Sequence, residues 1–464
     1  MHQHHNDVPC RKITSARRAA VTASVLAVSL LATSCASNTH VEDNTASESL
    51  VDAARAAALD AAGGEEIGGT LSIVGVNGGT EGEIIAETFK PFEEATGVTV
   101  NYNGTSDANT VVQTGVSAGT PPDIFNAANA GSLSSYAAAG ELVPLDDLFD
   151  RSELEAQFDR ALLDSATYDG TLYGIWNEVD NFMIWYNSDT YTGPTDAADW
   201  DQLADWAQER ATDGHTPWCF GLENGAASGV QGAHFINAQL LSTYGPEALA
   251  SLAAGELPFT SPEVKDAFEQ FGQIVSDSSM VDGGATGALA TKQTDSGNGL
   301  FSDPQHCDLL GWGNYAGNLI AASNPEAKPG ENLQFFKWPA VNPEYSGAEM
   351  VSGHVMYAFN DTPQVRAFMR YYASAEAQAL LAASGQWVVG NRDVPTDVYP
   401  NATMKTAAEQ YLAADHVVLS PVAQLPGAVV LAYYKAVVAY VQDPGSLDSI
   451  LQTVEDARLA AVQG

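Results

Sequence analysis

The 464-residue chain is poor in positive charge: 19 Lys and Arg stand against 58 Asp and Glu, a formal net charge of −39 at neutral pH. A surface this acidic repels nucleic-acid phosphates and anionic headgroups, which argues against nucleic acid as a partner and against electrostatic attachment to a membrane. Cysteine is scarce as well, with Cys10, Cys35, Cys219 and Cys307 the only four. His306 and Cys307 are adjacent and do not have the spacing of a metal site, so no metal and no cofactor are expected in the body of the chain. No Gly-x-x-x-x-Gly-Lys loop is present to cradle a nucleotide. The nearest dinucleotide-like pattern, Gly311 to Ala316, carries Trp312 and Tyr315 where a phosphate would have to approach.

What is present begins with a leader. Arg11-Lys12 and Arg17-Arg18 precede the uncharged run Ala19 to Ala32, the charged and apolar regions of a secretory signal. At about 14 to 16 residues the run falls short of the roughly 20 that span a bilayer. It ends Leu31-Ala32-Thr33-Ser34-Cys35, which resembles the bacterial lipobox, so residues 1–34 are expected to be removed and Cys35 to be lipidated. His2, His4 and His5 would leave with the leader. Residues 35–69 are polar, Ala-rich and Gly-rich and suggest a flexible tether, with one helical stretch at Leu50 to Leu59. Export leaves Cys219 and Cys307 as a pair in an oxidising setting, either bridged or as two buried thiols.

From residue 70 the patterning alternates between strand and helix. Leu71 to Val76 reads as a strand, Glu83 to Glu94 as a helix stopped by Gly97, and Val98 to Tyr102 as a second strand. A second helical pattern through Val111, Val112 and Val116 leads into a strand opened by Pro121-Pro122. Trp200 to Arg210 and Pro262 to Ser276 read as amphipathic helices, and a further helix starts near Pro363. Repeated strand-helix units predict an α/β fold, with ligands at the loops that follow strand ends.

Several of these segments, in this order, resemble the solute-binding proteins of carbohydrate ABC importers: Asn77-Gly78-Gly79 after a strand, Gly119 to Ile124, Asp169 to Ile175, Trp185-Tyr186-Asn187, Asp199 to Leu203 and Ser374 to Gln378. Thr216 to Gly229 is similar to the α-glucoside-binding branch, and the resemblance implies a Cys219–Cys307 disulfide. It further implies a two-lobed periplasmic-binding-protein-like fold, each lobe a mixed sheet flanked by helices, with the ligand cleft between lobes. Crossings near 180–185, 335–340 and 386–392 would place 70–180 and 340–386 in lobe 1, and 185–335 and 392–464 in lobe 2. The partners implied are a small-molecule sugar and the transmembrane permease subunits of an importer, with the protein a monomer outside the cell or in the periplasm, held to the membrane only by its lipid.

A sugar presents apolar CH faces and a rim of hydroxyls, so its site needs aromatic platforms beside carboxylates or amides. Turn-flanked pairs of this kind occur at Trp176 with Glu178, Trp218 with Glu223, Trp312 with Tyr315, and Trp387 after Gly385. Trp176, Glu178, Glu223, Trp312, Tyr315 and Trp387 are therefore candidate ligand residues, joined by Asn77, Gly78 and Asn126 from strand-end loops. Gly353 and His354 match a position where a glycine turn faces the cleft. The alternatives are a secreted glycoside hydrolase, which would use two of the many carboxylates, and a binding protein for a non-sugar solute.

Overall fold

The computed structural model describes residues 46–195 and 199–463; the expected leader, the expected lipidation site Cys35 and the first part of the expected tether lie outside them. The strands described are β1 (Thr70–Gly75), β2 (Thr99–Gly104), β3 (Ile124–Ala127), the short pair β4 (Thr167–Tyr168) and β5 (Thr171–Leu172), β6 (Gly174–Asn187), β7 (Leu309–Gly313), β8 (Leu333–Lys337), β9 (Ala348–Ala358), β10 (Val388–Val389) and β11 (His416–Leu419).

The first strand-helix-strand unit forms where its pattern places it. Helix Gly79–Thr96 buries Ile85, Phe89 and Phe92, spaced to lie on one face, and ends at Gly97, whose φ of 69° suits the left-handed cap that glycine fills without strain. β1 pairs in parallel with both β2 and β3. Leu71, Ile73 and Val74 are buried, and the half-buried Ser72 hydrogen-bonds to Asp123. Helix starts are marked by side-chain caps: Asp199 accepts from the amide of Gln202, Ser261 from Val264, Thr362 from Val365 and Ser374 from Ala377.

Two long strands organise the molecule. Residues 174–181 of β6 lie antiparallel to β9, and 182–187 turn to β7 and β8 instead. β9 begins beside β11 at Ala348–Val351 and ends beside β3 at Val355–Ala358. Both strands thus run from one set of partners to another. One buried cluster gathers Ile73, Phe89, Phe125, Tyr357 and Phe368; another gathers Ile184, Phe235, Phe271 and Tyr433. β6 and β9 are the continuous backbone between them.

The helical stretch expected near residues 50–59 is the helix Glu48–Ala61, capped by Ser47. Ala54 and Ala58 are fully buried, and Arg55 reaches Glu94 on helix Gly79–Thr96 at 2.7 Å. This part of the 35–69 segment is packed onto the body, not free, because its alanine face allows close approach of a neighbouring helix. Cys219 and Cys307 are joined by a disulfide that closes a loop of 88 residues. Among the described residues no helix is long and apolar enough to cross a membrane.

Candidate functional site

Where β6 and β9 pass between the two cores, a cleft of about 570 Å³ opens beside them. Its floor is built by register: Glu178 lies opposite His354 and Asp180 opposite Ser352 on the paired strands. Gly353 sits between, with φ of 136°, and a side chain there would drive its Cβ to 2.1 Å from the Glu178 carbonyl oxygen. Only glycine lets the strands approach this closely. β10 pairs with β6 at Val179 and Glu178 and so sets Trp387 at the edge of the floor. One wall comes from the loop after β1 and the first turn of the next helix, with Asn77, Thr80 and Glu81; Asn129 follows β3. The opposite wall comes from His234, Gln293, Tyr315, Asn318 and Tyr434.

Buried polar atoms without partners line this cleft. Asn77 Oδ1, Asp180 Oδ1 and Gln293 Nε2 are buried with no hydrogen bond. Such groups cost free energy unless something fills them, so they mark where a polar ligand belongs. A groove of comparable size, about 630 Å³ near Tyr244 to Glu247 and His416, has no such atom in its lining. Glu178 Oε2 and His354 Nδ1 stand 2.6 Å apart as a buried ion pair. Burial opposes the charge on His354, but Glu178, helped by Asp180 and Glu81, overcomes it and holds the imidazole above its usual range. Burial also pushes Asp180 up to about 7, against the pull of His354 and with added repulsion from Glu178 and Glu81. His234, desolvated with no acid to offset burial, is lowered to about 3 and is neutral at physiological pH. Burial raises Tyr315 well above its ordinary value, so it presents a neutral phenol. Among the described residues no group of three or more His, Cys, Asp or Glu side chains is arranged to hold a metal ion.

Of the residues singled out in the sequence, Asn77, Glu178, Tyr315, His354 and Trp387 line the cleft, and Gly353 shapes its floor. Gly78 is the cap of the helix behind Asn77. Asn126 is the next-to-last residue of β3, beneath the same wall, fully buried, with neither side-chain polar atom partnered. Three residues stand elsewhere. Trp176 is in the core, its indole N–H donating to Ser165 Oγ at 3.1 Å. Strand alternation would put it on the same face as Glu178, but a register shift between the two residues separates them. Trp312 is buried under the cleft, with its ring edgewise to Phe182, His234 and Tyr315. Glu223 is held in its own loop, where Oε1 accepts from the amide of Gly225, and its carbonyl accepts from Gln293 N. Its contribution to the cleft is to place Gln293.

The sequence reading missed Glu81, Asn129, Asp180, His234, Gln293 and Asn318. Asp180 carried a signal, since it lies two residues after Glu178 on one strand. The others come from helices and turns far apart in the chain, and nothing local marks them.

The relatives of the chain agree with this architecture. The family of bacterial extracellular solute-binding proteins matches residues 87–413. The osmoprotective compounds-binding protein GgtB of Synechocystis sp. is 31% identical over 398 residues, covering 84% of this chain and 93% of that protein. The alpha-glucosides-binding periplasmic protein AglE of Rhizobium meliloti is 29% identical over 354 residues, covering 74% and 76%. Among solved structures, a chitin oligosaccharide binding protein superposes with a TM-score of 0.70 at 21% identity, over 85% of this chain and 99% of that one. The solute receptor AcbH does so with 0.67 at 20% identity, over 85% and 98%. Matched over most of its length by such proteins, the chain belongs to the bacterial extracellular solute-binding protein family and has its two-lobed α/β fold.

Proposed function

We propose that the protein captures a small sugar or sugar-like osmoprotectant outside the cell, an α-glucoside being the leading candidate, and delivers it unaltered to the permease subunits of an ABC importer. The observation that carries this reading is the cleft beside β6 and β9, with its unpartnered Asn77, Asp180 and Gln293 atoms at hydrogen-bonding positions and Trp387 and Tyr315 as ring faces. The ligand classes for which GgtB and AglE are named support this substrate class. Asn77, Glu178, Asp180, Gln293, Tyr315, Asn318, His354 and Trp387 would contact the ligand, while Asn126 and Gly353 would hold the strand ends that present them. The lobes would meet at β6 and β9 and close over the ligand, giving the importer a shape to recognise. Lipidation at Cys35 would keep the receptor near that importer.

The test is calorimetry and thermal shift on the folded body with maltose, trehalose, sucrose and glucosylated polyols, followed by product analysis. Stabilisation by one of these at micromolar affinity, with the sugar recovered intact, is the expected result. A cleaved sugar would make the protein a glycosidase, and silence across the panel would point to another solute.

A further inference from the structure

The two walls of the cleft differ in charge. Glu81, Glu178 and Asp180 all come from β6 or the helix after β1. The facing wall offers only uncharged groups, among them Gln293, Tyr315, Asn318 and an imidazole, His234, that burial keeps neutral. Among the described residues no Lys or Arg lines the cleft. Its cationic candidate there, His354, is already engaged by Glu178 at 2.6 Å. Two of the unpartnered atoms, Asn77 Oδ1 and Asp180 Oδ1, are acceptors. A ligand resting on this wall must therefore bring donors. A hydroxyl supplies one; a carboxylate or phosphate supplies none and meets three acids at close range.

We propose that the cleft is a charge filter, in which Glu81 and Asp180 admit neutral polyhydroxy solutes and reject their anionic counterparts such as uronates and sugar phosphates. This rests on the sugar-binding reading and narrows it. The rejection does not need a clash of shape, because like charges brought together beside the exposed Glu81 and the half-buried Asp180 weaken binding by themselves. It also fits the overall charge of −39, which repels anionic solutes before they arrive.

An isosteric pair isolates charge from size. For whichever neutral disaccharide binds the wild-type protein, its 6-carboxamide and 6-carboxylate derivatives are compared by calorimetry at low salt and pH 8.5, where Asp180 as well as Glu81 is ionised. The carboxamide should bind and the carboxylate should be roughly a hundredfold weaker. In Glu81→Gln the ratio between the two should shrink by about tenfold, whatever happens to the neutral affinity, since one of the repelling charges is gone. Should that variant fail to fold, wild-type protein at high salt gives the same reading, with the carboxylate gaining and the carboxamide unmoved. Equal affinities for the pair would overturn the filter and leave sugar binding intact. If no neutral sugar binds at all, the sugar reading falls and the filter falls with it.

Discussion

Asp180 shows how a site residue can work against the fold that carries it. Its carboxyl is raised to about 7 by burial, so between its ordinary value near 4 and that figure the unfolded chain gives up its proton before the folded one does. Stability is lost as the pH rises through this window. His354 acts in the same direction: the stability its ion pair with Glu178 contributes is fully present at acid pH and disappears as the pH climbs through the raised value of the imidazole. Asp180→Asn removes the first penalty. Its melting temperature should match wild type near pH 4 and exceed it by a few degrees at pH 7.5, while its ligand affinity falls about tenfold or more. Calorimetric scans across pH check the first part, and a difference that stays flat with pH would mean the carboxylate is well solvated. The tryptophans behave oppositely. Trp176→Ala should cost about 3 to 5 kcal/mol of stability with little change in affinity measured where the variant is folded, because Trp176 packs in the core and never reaches the cleft. Composition made Trp176 and Glu178 both look like binding groups. The bulge that sends Trp176 inward and Glu178 outward is a backbone event with no residue signature, and that is why the sequence could name the pair but not separate their roles.

Strand-helix units and their caps were legible because the forces that make them are local. Gly97 stops one helix, Ser261 and Thr362 start others, and the periodicity of Ile85, Phe89 and Phe92 fixes a buried face. The switch of partners along β6, between Asn181 and Phe182, has no such local mark, since both halves of the strand are buried and read alike; the expectation of a crossing near 180–185 came from the family resemblance alone. Helix Glu48–Ala61 was visible as a helix, but its docking was not, because an alanine-rich stretch is as compatible with a tether as with a close-packed face. The two possibilities separate on deletion. A protein starting at residue 63 should melt several degrees below one starting at 46, since it uncovers the surface packed against Ala54 and Ala58. Little of that loss belongs to the exposed Arg55–Glu94 pair, so Arg55→Ala alone should change the melting temperature by a degree or less. The disulfide is an element of the same scale. Closing 88 residues, it restrains the unfolded chain by about 4 to 5 kcal/mol at most in the chain-entropy description. Cys307→Ser, or reduction with dithiothreitol, should lower the denaturation midpoint in urea while leaving affinity near wild type, because neither cysteine lines the cleft.

At the scale of the whole molecule, the division of chemistry between the walls suggests an order of events. The wall from β1, β6 and β9 holds the carboxylates and the unpartnered acceptors, and under the proposed function it would take up a hydroxylated ligand first. The facing wall has uncharged groups, whose contribution would grow as the lobes come together. The first wall should thus set capture and the second closure. Two variants distinguish these roles. Glu178→Gln, on the first wall, should abolish measurable binding, since it also strands His354 in a buried site without its counter-charge. Asn318→Ala, on the second, removes the amide that donates to the carbonyl of Gly385 at 3.1 Å and so ties the facing wall to the segment that carries Trp387. It should keep a weakened affinity, about tenfold down, but lose most of the contraction that saturating ligand produces in small-angle scattering. Wild-type protein at a hundredfold excess over the dissociation constant should contract and gain about 2.7 kcal/mol of stability. If Asn318→Ala contracts as fully as wild type while binding more weakly, the second wall is only another contact surface, and closure must be driven from the strands β6 and β9 themselves.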